Sequence, residues 1–217
     1  CSIVNPKLDS IFTNYNKNSE QIKMVSYEYS DANPFWNPEK NDIDFKYYIE
    51  KNNLAKPDLL FTFLTGNGLY VPYSNEFITH EKYATKFLEQ FHKDFPDALI
   101  GVMGIELPCC NGGVTACYGA QGYYHDWYGD TVTTLNYDKW LENFTKLEEH
   151  ASYMTYFDIK SQFDSEYSYP VELMKVNNRS EILERIGTNG LHPSIDGYKQ
   201  IGDAFYRFLV EMVKRIK

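Results

Sequence analysis

No stretch of this chain approaches the ~18 consecutive apolar residues that a membrane-spanning helix needs. The longest candidate, Leu59 to Leu64, is interrupted by Thr62. Runs of Lys or Arg are equally lacking, and 21 basic against 30 acidic residues leave a formal net charge of −9. That balance argues against a nucleic-acid partner and against an anionic membrane surface. Internal repeats and low-complexity tracts are missing too, so no solenoid or linker-rich array is expected. What is present is ordinary for a folded chain: 43% apolar and 24% charged residues over 217 positions. That length suffices for one domain burying roughly 70% of the surface its unfolded chain would expose.

Cysteine is scarce, at four residues. Adjacent Cys109 and Cys110 do not suit a bridge to each other, but either one closes a small loop with Cys117 in an oxidising compartment; free thiols are the alternative. No second Cys or His pair stands at zinc spacing, so no metal is expected. Cys1 stands where a translation start would place Met. It reads either as the lipid-bearing Cys of a processed bacterial lipoprotein or as the cut edge of a longer chain.

Aromatic residues are the one excess, with 19 Tyr and 14 Phe. Rings with apolar faces and polar tips suit hydroxyl-rich ligands such as sugars, and they suit an aromatic core equally well.

From Pro57 onward, strand-like and helix-like segments alternate, the pattern of a parallel α/β sheet. Asp58 to Leu64 reads as a buried strand running into Thr65-Gly66-Asn67-Gly68. Glu81 to Phe95 is an amphipathic helix carrying Tyr83, Ala84, Phe87, Leu88, Phe91 and Phe95, stopped by Pro96-Asp97. Ala98 to Ile105 is the next buried strand. A Gly- and Tyr-rich connection from Pro108 to about Asp130 follows, long enough to be a lid or substrate wall. Leu135 to Ala151 reads as a helix, Tyr153 to Ile159 as a third strand, and the final helix, capped by Ser194, carries Ile201, Phe205, Phe208, Leu209, Met212, Val213 and Ile216 on one stripe. Upstream, Asn33-Pro34-Phe35-Trp36-Asn37-Pro38 is a turn-rich aromatic anchor, Ile43 to Leu54 a short helix, and Ile22 to Tyr29 the one strand candidate before residue 30. No linker divides the chain, so one domain over 1–217 is expected.

The most specific motif is Thr188-Asn189-Gly190-Leu191-His192-Pro193-Ser194, followed by Gly197-Tyr198 and Ile201-Gly202-Asp203-Ala204. This segment resembles the last conserved block of the SGNH/GDSL hydrolases, where an Asp and a His sit three residues apart just before the final helix. Pro57-Asp58-Leu59-Leu60-Phe61 through Gly66-Asn67 is similar to that family's strand-plus-Asn block. Asn33 to Pro38, Ile43-Asp44-Phe45 and Tyr47-Tyr48-Ile49 resemble SGNH-like proteins of bacteria and their phages. The resemblance runs from about residue 24 to the C-terminus.

It implies a three-layer α/β/α fold with a mainly parallel, flavodoxin-like sheet. It also implies hydrolysis of an ester, an acyl group on a carbohydrate or a small ester being the substrate, at an extracytoplasmic, cell-surface or virion location. His192 would be general base and then acid, Asn189 would orient it, and Asn67 would help hold the oxyanion. No cofactor is implied.

The chain departs from the family pattern at three places. Asn189 stands where the family has Asp and supplies no charge to an imidazolium, Thr65 and Gly68 flank the retained Asn67 in place of Gly and Asp, and the Gly-Asp-Ser turn is not found. Asp9-Ser10 has no Gly before it. The family's first strand would lie between its second strand and the one at 58 to 64, so either it lies upstream of Cys1, in an upstream segment or partner chain, or another segment fills its slot. The strand at 58 to 64 is accordingly expected to be paired on both sides, and the missing strand favours Cys1 as a cut edge. A second reading is a catalytically degenerate SGNH-like module that binds glycan or plays a structural role in a surface or phage assembly.

Outside these motifs, His125 among Tyr123, Tyr124, Trp127 and Tyr128 suits either a sugar subsite or a solvated loop. His80, His92 and His150 carry no motif. Asp44, Asp58 and Asp164 read as capping or turn residues, so an acid pair of the glycosidase kind is not expected.

Overall fold

The computed structural model describes residues 33–63, 75–110, 127–175, 177–190 and 192–216. Within the Pro-bracketed anchor, β1 (Trp36–Asn37) and β2 (Asp42–Ile43) pair antiparallel, Trp36 opposite Ile43. The turn between them passes through Asn41 at φ 53, a left-handed conformation that Asn tolerates better than most residues.

Asp44 then ends the extended chain and starts α1 (Phe45–Lys51): one carboxylate oxygen accepts from Tyr47 N–H at 2.9 Å, the other from the Asn37 side chain at 3.0 Å. The helix expected over 43–54 is therefore shorter at both ends. Ile43 belongs to β2, and beyond Lys51 the chain turns through Asn53 at φ 51.

β3 (Leu59–Thr62), β4 (Leu99–Met103) and β5 (Met154–Phe157) form a parallel sheet in that order, with Leu60 beside Ile100 and Ile100 beside Met154. α2 (Asn75–Asp94) connects the first two strands and α3 (Trp127–Thr145) the next two. Among the described residues β3 is paired on one side only, by β4. Residues 1–32, which hold the strand candidate Ile22 to Tyr29, lie outside the described set.

Alternate residues along β4 serve opposite faces, as the two-residue repeat of a strand requires. Ile100 and Val102 join Phe87 and Phe91 of α2 and Tyr137, Leu141 and Phe144 of α3 in one core. Met103 joins Ile201 and Ala204 of α4 (Ile195–Val213) in the other, with Phe61 and Phe157 packed against it. Phe208 of α4 stacks on Phe157 and meets Phe61 edge-on. Gly101 is small because α4 lies over it: a Cβ there would come 2.9 Å from the Phe208 ring and 3.0 Å from Phe61. Much of the aromatic excess is spent in this packing, including a Phe35, Phe45 and Phe87 cluster with ring centroids 4.6 to 5.5 Å apart. Each such buried ring contributes roughly 1.5–3 kcal/mol from removal of apolar surface.

α3 differs from expectation. It begins at Trp127, so the connection after Pro108 is shorter than a run to Asp130, and it ends at Thr145 rather than Ala151. The apolar spacing begins at Leu135, and Thr131, Thr133 and Thr134 before it have modest helix propensity. The end is set by His150, whose Nδ1–H donates to the Phe144 carbonyl at 2.9 Å, satisfying one of the helix's last acceptors while the chain turns back.

After β5 and a short 3₁₀ turn (Lys160–Gln162), β6 (Val171–Lys175) and β7 (Leu183–Gly187) form an antiparallel hairpin, Leu173 opposite Arg185. It is separate from the parallel sheet and had no counterpart in the sequence reading.

Candidate functional site

In an open parallel sheet the strand ends at the carboxyl side carry the chemistry. Here the chain leaving β4 passes through Gly104, Ile105, Glu106, Leu107 and Pro108 to Cys109. The Cys109 N–H donates to the Gly190 carbonyl at 3.3 Å, and the Tyr169 hydroxyl donates to the Leu107 carbonyl at 2.8 Å. The first of these bonds seats the loop that bears His192 beside the carboxyl end of β4.

The other end of that loop is held by α4. Ser194 N–H donates to the Ser168 carbonyl at 2.7 Å, and the Ser194 hydroxyl accepts from Gly197 N–H at 3.2 Å, the cap expected from the sequence. Gly197 presses on the same point, since a Cβ there would lie 2.3 Å from the Ser168 carbonyl oxygen.

Within the loop, His192 is exposed and Asn189 half-buried. The Asn189 side-chain oxygen accepts from the main-chain N–H of His192 at 2.8 Å, a bond that shapes the turn carrying the imidazole. Asn67 lies outside the described residues, as do Ser10, Cys117 and His125. Among the described residues, no serine hydroxyl is hydrogen-bonded to the His192 ring. Ser168, under the first turn of α4, is fully buried, and its hydroxyl has no hydrogen-bond partner among the described residues. Cys110 keeps a free, half-buried thiol, pushed up from its ordinary pKa by burial and then by Glu166.

The structure also assembles a group of residues at this strand end that the sequence reading passed over. Asp138 of α3, 2% exposed, reaches the end of β4 and accepts from Ile105 N–H at 2.8 Å. Its other oxygen lies 3.1 Å from the Lys160 ammonium, an ion pair whose angle falls short of a hydrogen bond. Lys160 also donates to Asp158 at 2.6 Å and to the Tyr156 hydroxyl at 3.2 Å. Gly104 leaves room for this cluster, because a Cβ would meet an Asp138 oxygen at 2.6 Å and the Tyr156 hydroxyl at 2.7 Å.

Burial pushes the Asp138 pKa up to about 6, against the pull of Ile105 N–H and Lys160. Burial pulls the Lys160 ammonium down, but its hydrogen bond to Asp158 and its ion pair with Asp138 outweigh that and hold it above its ordinary value. Tyr156 is pushed up by burial and by Asp138.

Glu106, next along, is perturbed in the same direction. Burial first, then the Asp138 charge, raise its pKa to about 7, and its Oε2 is closed off from solvent with no hydrogen-bond partner among the described residues. Asp44 and Asp164 are the cap and turn residues expected, the latter accepting from Glu166 and Tyr167 N–H groups. Two acids do influence each other at this strand end, half-buried Glu106 and buried Asp138. A signal for them was present: Glu106 is the first charge after an apolar strand, and Asp138 interrupts the apolar stripe of α3 one turn before Leu141.

No family model matches this chain, and neither the curated proteins nor the solved structures contain a significant match to it.

Proposed function

We propose that the chain is an SGNH-like ester hydrolase that removes acyl groups from a carbohydrate, built on a three-layer α/β/α, flavodoxin-like fold. The observation that carries this reading is the Gly190 to Cys109 hydrogen bond, which puts the His192 loop at the carboxyl end of the parallel strands, immediately before the last helix. Two helices against one face of the sheet and α4 against the other support the layered fold. Asn67 follows the end of β3 by five residues in the sequence.

In this mechanism a serine hydroxyl attacks the acyl carbon as His192 takes its proton. The carbonyl oxygen becomes an oxyanion to which Asn67 donates a hydrogen bond. His192 then returns the proton to the departing sugar oxygen, and water repeats the sequence on the acyl-enzyme. Asn189 sets the turn on which the ring is carried. The serine belongs to a segment outside the described residues or to an upstream segment or partner chain.

The test is turnover of p-nitrophenyl acetate and of an acetylated xylo-oligosaccharide by the chain and by His192→Ala. Loss of roughly a hundredfold or more in kcat/KM is expected for a general base; equal rates remove His192 from the mechanism.

One observation favours the second reading, a degenerate glycan-binding or structural module. Asn189 carries no charge, and its side-chain oxygen is engaged with the main chain. Saturable glycan binding without turnover of either ester by wild type would select it.

A further inference from the structure

A polar atom shut away from water without a partner is costly, and where one persists at a strand end it calls for an explanation. Glu106 Oε2 is such an atom, three residues beyond β4 and on the segment that also holds the His192 loop. We propose that Glu106 is the ligand-contacting group of a subsite for an uncharged, hydroxyl-bearing ligand, a neutral oligosaccharide, at the carboxyl end of β4.

The surroundings select that chemistry. Asp138 of α3 lies within electrostatic reach of Glu106 and disfavours a second anion there. Lys160, the cation beside Asp138, is already shared between Asp138 and Asp158, with the Tyr156 hydroxyl as a third contact, so among the described residues it is not left over to attract an acidic ligand. From α4, Tyr198 is close enough to feel the Glu106 charge, and the residue is 48% exposed. A half-exposed tyrosine within electrostatic range of a carboxyl is a pairing that suits a sugar, whose ring packs on an aromatic face and whose hydroxyls bond to a carboxyl.

Near neutrality the carboxyl exists in both protonation states, able to donate to a ligand oxygen or to accept from a hydroxyl. Asp138 acts behind it as a positioning residue, fixing the segment through Ile105 N–H. The location rests on the hydrolase reading, but binding does not require turnover.

The experiment is calorimetric titration of the full chain with chitotetraose and xylotetraose, and with tetragalacturonate as an anionic counterpart. It is run on wild type, Glu106→Ala, Glu106→Gln and His192→Ala, at about pH 6 and about pH 8 on either side of the Glu106 pKa. One of the neutral saccharides is expected to bind saturably and tetragalacturonate about tenfold more weakly or worse, with Glu106→Ala weakened by about tenfold. Glu106→Gln, which keeps a donor and an acceptor, is expected to hold within about threefold of wild type and to lose the pH dependence.

The proposal is overturned by binding unchanged in a folded Glu106→Ala, by tetragalacturonate binding as tightly as the neutral saccharides, or by neither neutral saccharide binding wild type. If Glu106→Ala does not fold, a Glu106→Gln that binds with unchanged pH dependence overturns it as well. The two readings separate cleanly. Binding lost in Glu106→Ala with no ester turnover by wild type removes the hydrolase alone, and turnover lost in His192→Ala with binding unaffected by Glu106→Ala removes the subsite alone.

Discussion

Burial at the end of β4 lets Glu106 keep its proton up to about pH 7, well above the ordinary 4.5. A raised carboxyl pKa means that the folded state binds the proton more tightly than the unfolded state. Its contribution to stability is therefore full below about 4.5 and lost as pH rises through about 7. Asp138 has the same sign over a lower window, from 3.8 to about 6. Urea unfolding of wild type is accordingly expected to show stability falling as pH climbs through this range, with the Glu106 share at most about 3 kcal/mol. Glu106→Gln should flatten that slope and exceed wild type in stability at about pH 8; parallel pH profiles for the two proteins would contradict it. Asp44 works in the opposite sense. Burial raises its pKa, but Lys40, Tyr47 N–H and Asn37 together hold it below its ordinary value, so its share of stability is lost on acidification.

At the scale of elements, α4 shows how one helix is fitted to two demands. Ile201, Phe208 and Met212 of the expected stripe are buried and Ala204 joins them at three- and four-residue intervals, whereas Val213, also expected on that stripe, is 53% exposed. Its two glycines differ. Gly197 sits against the Ser168 carbonyl and Pro193, with no room for a Cβ, whereas Gly202 has open space around it. Gly202→Ala is therefore expected to stabilise the protein by up to about 1 kcal/mol through helix propensity. Gly197→Ala should destabilise it by about 1–3 kcal/mol through overpacking, and it should shift the His192 loop that the same contact anchors. Thermal melts of the two variants check the signs. The legibility of other elements followed their periodicity. The helix expected over 81–95, which the structure starts earlier at Asn75 and ends at Asp94, and the parallel strands were plain, because their apolar spacing is strong. The β6–β7 hairpin was missed because Glu172, Glu184 and Arg185 alternate with exposed Leu173 and Leu183, leaving no one-sided pattern to read.

Over the whole molecule, stability is unevenly shared. β4 lies between two strands, is covered on both faces and is buried from Ile100 to Met103, whereas the hairpin has few buried side chains and, among the described residues, pairs with neither other sheet. Hydrogen exchange is therefore expected to be slowest in β4 and faster in β6 and β7 by about two orders of magnitude or more, a gap of roughly 3 kcal/mol in opening free energy. Uniform protection would mean that the hairpin is locked to the body by contacts stronger than its exposure implies. The site lies between these extremes, with the rigid end of β4 on one side and the half-exposed turn of Asn189 to His192 on the other.

The amino-acid order by itself determined the α/β class, the parallel strands, the amphipathic helices and the placing of His192 just before the last of them. Those are properties of local spacing: two- and four-residue repeats, a serine cap, and apolar runs too short for helices. The tertiary structure alone decided that Glu106 and Asp138, 32 residues apart in the chain, share one buried strand end with Lys160 and Tyr198. No local rule brings such residues together. Their ionisation depends on burial and neighbouring charge, and those exist only once the sheet has stacked its helices and closed water out.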